Sequence, residues 1–357
     1  MPSFINDVLK DLEIQKVDLS KLTFVLPSKR AGVFLRHEIA SNVSKTIFAP
    51  TLISIEEFVE ELSGLKSESN LFLLFEFYSI FAQLEKKEEV EHFDSFTKWA
   101  PILLQDFNEI DRFLVNPQKI FNYLSDIKDI EHWSTDTEKT DLVKNYLYFW
   151  KKLYPLYNAF YNHLKSKKIG YQGLIYREAT ENLQNYIQAT RRNHIFIGFN
   201  ALNSAEEIII QELLQNDIAE IYWDIDNNFI INPAHNAGQF VRKYKNNWKY
   251  FTHQSFNWVS KNYSMEKQIE VIGIPKNIGQ AKYIGSLLKT LDSSGPQLIN
   301  TAVILGDEKL LSPVLNSLPE NIKSLNITMG LPLDVSPLSS LFESLLLLHK
   351  YKSGERI

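Results

Sequence analysis

The chain contains no cysteine. That excludes a disulfide framework, a thiolate metal site and a cysteine nucleophile. No glycine is followed by lysine, so the GxxxxGK[ST] loop that cradles nucleotide phosphates is absent. With it go the lysine and the Mg²⁺-holding hydroxyl of ordinary ATP hydrolysis. Long hydrophobic runs are missing too. The richest stretch, LFLLFEFYSIFAQL (Leu71–Leu84), is interrupted by Glu76 and is shorter than the ~20 apolar residues a membrane-spanning helix needs. The N-terminus, MPSFINDVLKDLEIQK, carries acids inside an amphipathic pattern and has no apolar h-region, so it is not a signal peptide. Charge of one sign is not in large excess. A formal net charge of −5 argues against a uniformly basic nucleic-acid coat and leaves room for a local basic groove. The expectation is a soluble cytoplasmic protein that does not enter a membrane.

What is present fits a globular chain. Hydrophobic residues make up 44% and aromatic residues 13% of 357, enough for two or three domains with their own cores. Lys21–Ala40, KLTFVLPSKRAGVFLRHEIA, joins an apolar run to Pro-Ser-Lys-Arg and then to an amphipathic pattern. It predicts a strand at Phe24–Leu26, a short cationic loop and a helix N-terminus. Such a corner suits anions, because unbonded backbone N–H groups, the positive end of a helix dipole and two basic side chains converge there. FAPTLISIEEFVEEL (Phe48–Leu62) repeats the arrangement, with a strand at Thr51–Ile53, Ser54 as helix N-cap and Glu57 three residues on.

From about Ser67 to Leu183 strand signals vanish and helical periodicity takes over, with many Phe, Tyr and Trp that suit a packed helical core. Strand rhythm returns at Asn193: HIFIGF, a helix over Ser204–Gln215, then AEIYWDID. Residues 227–267 are polar and Asn-rich, and they include a helical segment within HNAGQFVRKYKNNWKYF. A second α/β stretch follows, with strands expected at IEVIGIP and NTAVILGDE and helices at QAKYIGSLLKTL, LLSPVLNSL and SPLSSLFESLLLLHKYKS. It ends after a helix with no closing strand, as a fragment of a longer protein would. The pattern predicts an α/β fold with a helical domain inserted into a parallel sheet.

Several motifs carry chemistry, each with a plainer alternative. In HIFIGFNALNSAEE, Ile197 and Gly198 stand where a Walker-B acid pair belongs, so neither half of an NTPase site is present. Asp224-Ile225-Asp226 follows a strand, as in metal-binding DxD motifs, and hard carboxylates suit Mg²⁺ or Mn²⁺. The alternative is two acids where a strand gives way to a loop. Asp307-Glu308-Lys309 and Glu85-Lys86-Lys87 echo a nuclease centre, but the first lacks an upstream Asp and the second lies in a helical run. Arg242, Lys243, Tyr244, Lys245, Trp248, Lys249 and Tyr250 could serve a single strand, cations on phosphates and rings on bases. They fit an amphipathic helix with aromatic core contacts equally well. The histidines show no HExxH or other ligand spacing. Ser28, Lys29 and Arg30 stand out, because a loop at the C-terminal end of a parallel strand is where open sheets bind ligands.

In its order of segments the chain resembles the AddB/RexB-type subunits of bacterial helicase–nuclease complexes, relatives of UvrD-like superfamily-1 helicases and, more distantly, of RecC. FVLPSKRAGVFLRHEI is similar to the family's counterpart of helicase motif Ia, and PTLISIEEFVEEL to the segment after it. GYQGLIYREATENL stands before, and FIGFNALNSAEEIIIQELL at, a degenerate motif II. IEVIGIPKNIGQAKYIGSLLKTL and the stretch from NTAVILGDEKLL to FESLLLL resemble the opening of a second motor domain.

The resemblance implies a degenerate, P-loop NTPase-like RecA fold. Residues 1–64 with 189–228 would form the first RecA-like domain, 65–188 an inserted helical domain, 229–267 a connecting segment and 268–357 the beginning of a second RecA-like domain. It implies DNA binding and strand handling in repair or recombination, a helicase–nuclease partner subunit, and a PD-(D/E)XK nuclease domain further along a longer parent. FINDVLKDL replaces the Gly-Lys-Thr loop of many members. No catalytic residue, cofactor or metal is therefore expected in this chain. Ser28, Lys29 and Arg30 would hold phosphates, with Thr51 and Ser54 as hydroxyl donors and Arg242, Lys243 and Lys245 as further contacts. Two other readings remain: a metal-dependent nucleotide-sugar-type transferase using Asp224 and Asp226, and a scaffold whose helical block docks a partner.

Overall fold

The computed structural model describes residues 3–15, 17–43, 46–85, 90–131, 141–254, 256, 260–293, 298 and 300–352. The chain divides into two compact units, Met1–Met265 and Glu266–Ile357.

The first unit opens with α1 (Phe4–Ile14), β1 (Leu22–Leu26), α2 (Lys29–Asn42), β2 (Thr51–Ser54), α3 (Ile55–Ser63) and β3 (Lys66–Ser67). A helical stretch follows: α4 (Asn70–Leu84), α5 (Phe93–Phe96), α6 (Ala100–Arg112), α7 (Pro117–Glu131) and α8 (Asp141–Ser166). Then come β4 (Ile169–Gly170), α9 (Gln172–Ala189), β5 (Asn193–Ile197), α10 (Ser204–Gln215), β6 (Ala219–Tyr222), α11 (Asn227–Ile231), α12 (Gln239–Asn247) and α13 (Tyr250–His253).

The main sheet has four strands, all parallel, in the order β2-β1-β5-β6. The helical stretch therefore enters between β2 and β5, and β5 returns to lie against β1, with Phe24 beside Ile195. Every residue of β1 is buried, because both faces of the strand are covered. Side chains alternate between two cores. Leu22, Phe24, Leu26, Ile195 and Ile197 join α1 and α2 on one face. Val25 and Phe196 face the larger core on the other, with α3, α9 and α10. Helix α2 crosses from β1 in one direction and α10 from β5 in the other. They lie on opposite faces, as right-handed crossovers running in opposite directions require.

Helices α4 to α9 are not set apart from the sheet. They share the larger core with α3 and α10, and Phe77 packs near its middle at 4.9 Å from Phe160, 5.3 Å from Phe96 and 5.7 Å from Phe107. A two-stranded parallel ladder, Lys66 beside Ile169, ties the start of the helical stretch to its end. Strands this short carry no pattern that the sequence could reveal. The region expected as a connector, 229–267, instead contributes α12 to this core through Val241, Tyr244 and Trp248. Aromatic side chains on one helix face outweigh the polar composition of the loops around them.

His194 sits in the sheet fully buried. Its Nδ1 lies 3.1 Å from the Ile218 carbonyl and its Nε2 2.8 Å from the Tyr186 hydroxyl, a pairing that a neutral imidazole satisfies at both nitrogens. Burial holds it below its ordinary value, against the Ile218 carbonyl, which pulls the other way. The unfolded chain then binds a proton that the native state refuses. This contribution to stability is complete above the ordinary value of 6.5 and is lost as pH falls through it towards the depressed native value. Urea denaturation between pH 7.5 and 5 should show stability falling by up to ~1.4 kcal/mol per pH unit from this residue. His194→Gln should lose that part of the slope, and an identical slope in the variant would refute the assignment.

The second unit contains α14 (Asn277–Ser293), α15 (Leu311–Leu315) and α16 (Pro337–Lys352). Helices α14 and α15 pack through Ala281, Leu288, Leu311 and Val314. The strands expected at 269–275 and 300–308 are not formed. Among the described residues this unit has no strand, and Val271 is 92% and Ile304 91% exposed. β-branched residues favour extended chain, but every ladder hydrogen bond needs a neighbouring strand, and among the described residues neither segment has one.

Candidate nucleic-acid interface

The turn where strand order reverses lies between β1 and β5, and the C-terminal ends of these strands lead into α2 and α10. In open parallel sheets ligands bind in that crevice. Pro27-Ser28 leaves β1, and the Ser28 hydroxyl caps α2 by accepting from the Ala31 N–H at 3.3 Å. Helix α2 has no acidic residue in its first turn, whereas α3 has Glu56 and Glu57, and α10 has Glu206 and Glu207. At the end of β5, Gly198 takes φ +75°, a left-handed conformation that side-chain-bearing residues avoid. Where a motor would present a carboxylate, this chain has a backbone turn.

Ser28, Lys29 and Ser54, three of the residues singled out in the sequence, meet at the ends of β1 and β2, on the side of β1 away from β5. They line a small cavity of about 180 Å³ with Gly32, Arg36 and Glu57. Ser54 ends β2 and caps α3. Its hydroxyl accepts from the Glu57 N–H at 3.3 Å while the Glu57 carboxylate accepts from the Ser54 N–H at 2.9 Å, the reciprocal capping box expected from their spacing. Glu57 also pairs with Lys29 at 3.0 Å. Its hydrogen bond to Glu57 holds the Lys29 ammonium above its ordinary range. The Ser54 N–H, and then Lys29, holds the Glu57 carboxyl below the ordinary carboxylate range. A carboxylate thus already sits on this lysine. Arg36, one helix face along from Lys29, was not singled out in the sequence. Its signal is the seven-residue spacing, which brings it back to the same side of α2.

The other predicted residues separate. Arg30 is exposed on the first turn of α2. Thr51 starts β2 level with Thr23, whereas Ser54 lies level with Leu26 at the other end of the strand. Three residues of strand separate Thr51 from Ser54 by ~10 Å, and Thr51 is not among the residues that line the cavity. Arg242 is a structural residue. Its guanidinium donates to the carbonyls of Phe229, Asn232 at 3.0 Å, Pro233 at 3.2 Å and His235 at 2.9 Å, which fastens α12 to the loop before it. Lys243 pairs with Glu207 at 3.0 Å, and Lys245 lies 5.4 Å over the Phe256 ring. Tyr244 and Trp248 are buried, and Tyr244 accepts the Leu202 N–H at 2.8 Å. Rings packed this way cannot stack on bases. Of the two readings of this segment, the amphipathic helix is the one the structure contains.

Asp224 and Asp226 do not converge. Asp224 is exposed, and burial of its surroundings holds it above the ordinary carboxylate range. Asp226 is buried and accepts from the N–H groups of Asn228 and Tyr263, each at 2.9 Å, and from the Ser260 hydroxyl at 3.2 Å. Burial pushes Asp226 up, but these donors outweigh it and leave the group below its ordinary range. Its lone pairs are already spent on closing a loop. Asp307 likewise caps a short turn through the Lys309 N–H at 3.0 Å. Glu85 pairs with Lys152, and Lys86 and Lys87 lie outside the described residues. Among the described residues no group of three or more His, Asp or Glu could hold a metal. None of their helices is long and apolar enough to cross a membrane.

The fold and site of the Met1–Met265 unit define a parallel α/β protein, its sheet covered on both faces, with a charged corner where β1 and β2 lead into α2 and α3. No family model matches the chain, and no curated protein matches it.

Proposed function

We propose that the Met1–Met265 unit is a degenerate RecA-like, helicase-like scaffold. It binds the phosphate backbone of DNA at the C-terminal edge of its sheet, without nucleotide hydrolysis, as part of a repair or recombination assembly with a helicase–nuclease partner. The observation that carries this reading is the corner itself: Ser28 and Lys29 open α2 beside the sheet reversal, Arg36 returns to the same cavity, and no acid shares the first turn. A phosphate there replaces the Glu57 carboxylate on Lys29 and meets Arg36, the backbone N–H groups and the helix dipole together. Contacts of this kind position a strand without reading its bases. The transferase reading has less support, because Asp226 is committed to the Ser260–Tyr263 loop.

Lys29→Ala combined with Arg30→Ala tests the proposal. Binding of a fluorescent single-stranded or forked DNA, followed against salt, should weaken. The slope of log K against log[salt] should flatten by ~0.7 per lost contact, ~1.4 for the pair. Arg36→Ala should add a further step of similar size. An unchanged slope with an unchanged melting temperature would overturn the assignment. Saturable ATP binding would contradict the absence of a nucleotide pocket.

A further inference from the structure

A second cavity, of about 790 Å³, lies away from the sheet edge, between the C-terminal end of α4 and the middle of α8. This is the size of a site for a small molecule or for a few residues of peptide. Four rings wall it: Phe81, Trp99, Tyr148 and Phe149. Trp99 meets Phe81 and Phe149 edge to face, each at 5.6 Å between centroids. Three charged side chains join them: Glu85, Glu91 and Lys152.

Their pairing shows what the cleft is built to hold. Lys152 Nζ lies 2.5 and 2.6 Å from the Glu85 carboxylate oxygens and 3.7 Å over the Tyr148 ring. One cation of the chain's own is therefore already held by a carboxylate and an aromatic face together. Glu85 and Lys152 cancel. Among the described residues that line the cleft, Glu91 is left as the exposed charge, and it accepts the Trp99 indole N–H at 3.2 Å, a neutral donor. Trp99 turns its indole N–H edge to that carboxylate, and Phe149, which lines the same cleft, meets Trp99 edge to face. A carboxylate in an aromatic-walled cleft attracts a flat, weakly hydrated cation, which hydrogen-bonds the acid while it packs against a ring.

We propose that this cleft is a guanidinium site, which takes the side chain of an arginine, with Glu91 as its anion and the rings of Trp99 and Phe149 as its aromatic wall. The shared chemistry covers a free arginine derivative and an arginine within a polypeptide. The proposal is independent of the nucleic-acid corner, and it uses none of that corner's residues.

Titration calorimetry of the whole chain with N-acetyl-arginine-amide, and with a hexapeptide carrying one arginine among Gly and Ser, tests it. Both should bind saturably, and the citrulline analogue of each, isosteric and neutral, should not. Tighter binding of the hexapeptide assigns a polypeptide source, and equal binding assigns a free small molecule. Glu91→Gln keeps an acceptor for the Trp99 N–H and removes the charge, so affinity should fall at least about tenfold while the melting temperature holds. Trp99 emission should change on binding, a signal absent in Trp99→Phe. Equal binding of the citrulline compounds, full affinity in Glu91→Gln, or no saturable binding of either arginine probe would each overturn the proposal.

Discussion

Asp111→Ala should destabilise the Met1–Met265 unit by ~3–5 kcal/mol, a large share of the stability of any single domain. Asp111 is fully buried on α6. One carboxylate oxygen accepts from the Tyr157 hydroxyl at 2.5 Å and the Arg177 Nε at 2.6 Å, and the other from the Tyr171 hydroxyl at 2.5 Å. Arg177 also donates to the carbonyls of Ile110 at 3.1 Å and Val115 at 2.7 Å. One acid thus joins α6, α8 and α9. Burial holds its carboxyl above the ordinary range, while the two tyrosine hydroxyls and Arg177 pull it down. Burial and the Asp111 charge likewise hold the Tyr157 and Tyr171 hydroxyls far above their ordinary range, so they remain donors.

Deleting the carboxylate leaves a guanidinium and two hydroxyls without their acceptor in a low-dielectric interior, and that loss dominates the cost. At the usual scaling for a domain of this size, the melting temperature should fall by ~10 °C or more. Arg177→Met placed on top of Asp111→Ala should recover stability, because it removes the stranded charge. Simple additivity of the two changes, or a loss below ~1 kcal/mol for Asp111→Ala, would show that the cluster is not a stability centre.

Gly173→Ala should destabilise by up to ~3 kcal/mol, the reverse of what helix propensity alone predicts. Alanine in a helix ordinarily gains ~0.5–1 kcal/mol over glycine. At Gly173, in the first turn of α9, a Cβ would stand 2.1 Å from the Asn108 carbonyl oxygen and 2.9 Å from its carbon. The obstacle is the backbone of α6, and the Gly173 N–H is tied to it through the Asn108 side chain at 2.7 Å. Neither helix can move alone, because the Asp111 cluster joins them one turn away. Gly32→Ala is the control. It also lies in a helix, but its Cβ would meet only Leu26 Cδ1 at 3.5 Å, ordinary contact, so the substitution should be neutral or mildly stabilising. Chemical denaturation of the two variants side by side should give opposite signs. A shared sign would mean that the close approach of α6 and α9 is not what selects glycine.

Both centres lie in segments whose sequence offered little. Asp111 reads as one more acid on an amphipathic helix, and Gly173 as a weak spot near a helix start. Their importance comes from partners 46 to 66 residues away in sequence, and no local pattern encodes such partners.

The sequence by itself determined the local elements. Apolar runs set β1, β2, β5 and β6, and the hydroxyl caps set the starts of α2 and α3. The sequence likewise showed that no Gly-Lys loop is present and that Ile197-Gly198 stand where β5 ends. Such features depend on neighbours within a turn or two of chain, where spacing alone determines which groups meet. Tertiary structure decided which charges remain available. Arg242 was spent on carbonyls, Lys243 on Glu207 and Asp226 on a loop, while Arg36 was brought to the corner beside the exposed Lys29–Glu57 pair. It also decided that the apolar stretches at 269–275 and 300–308 would not be strands. A side chain's availability and a strand's existence both depend on a partner brought in from far along the chain, and only the folded arrangement supplies or withholds that partner.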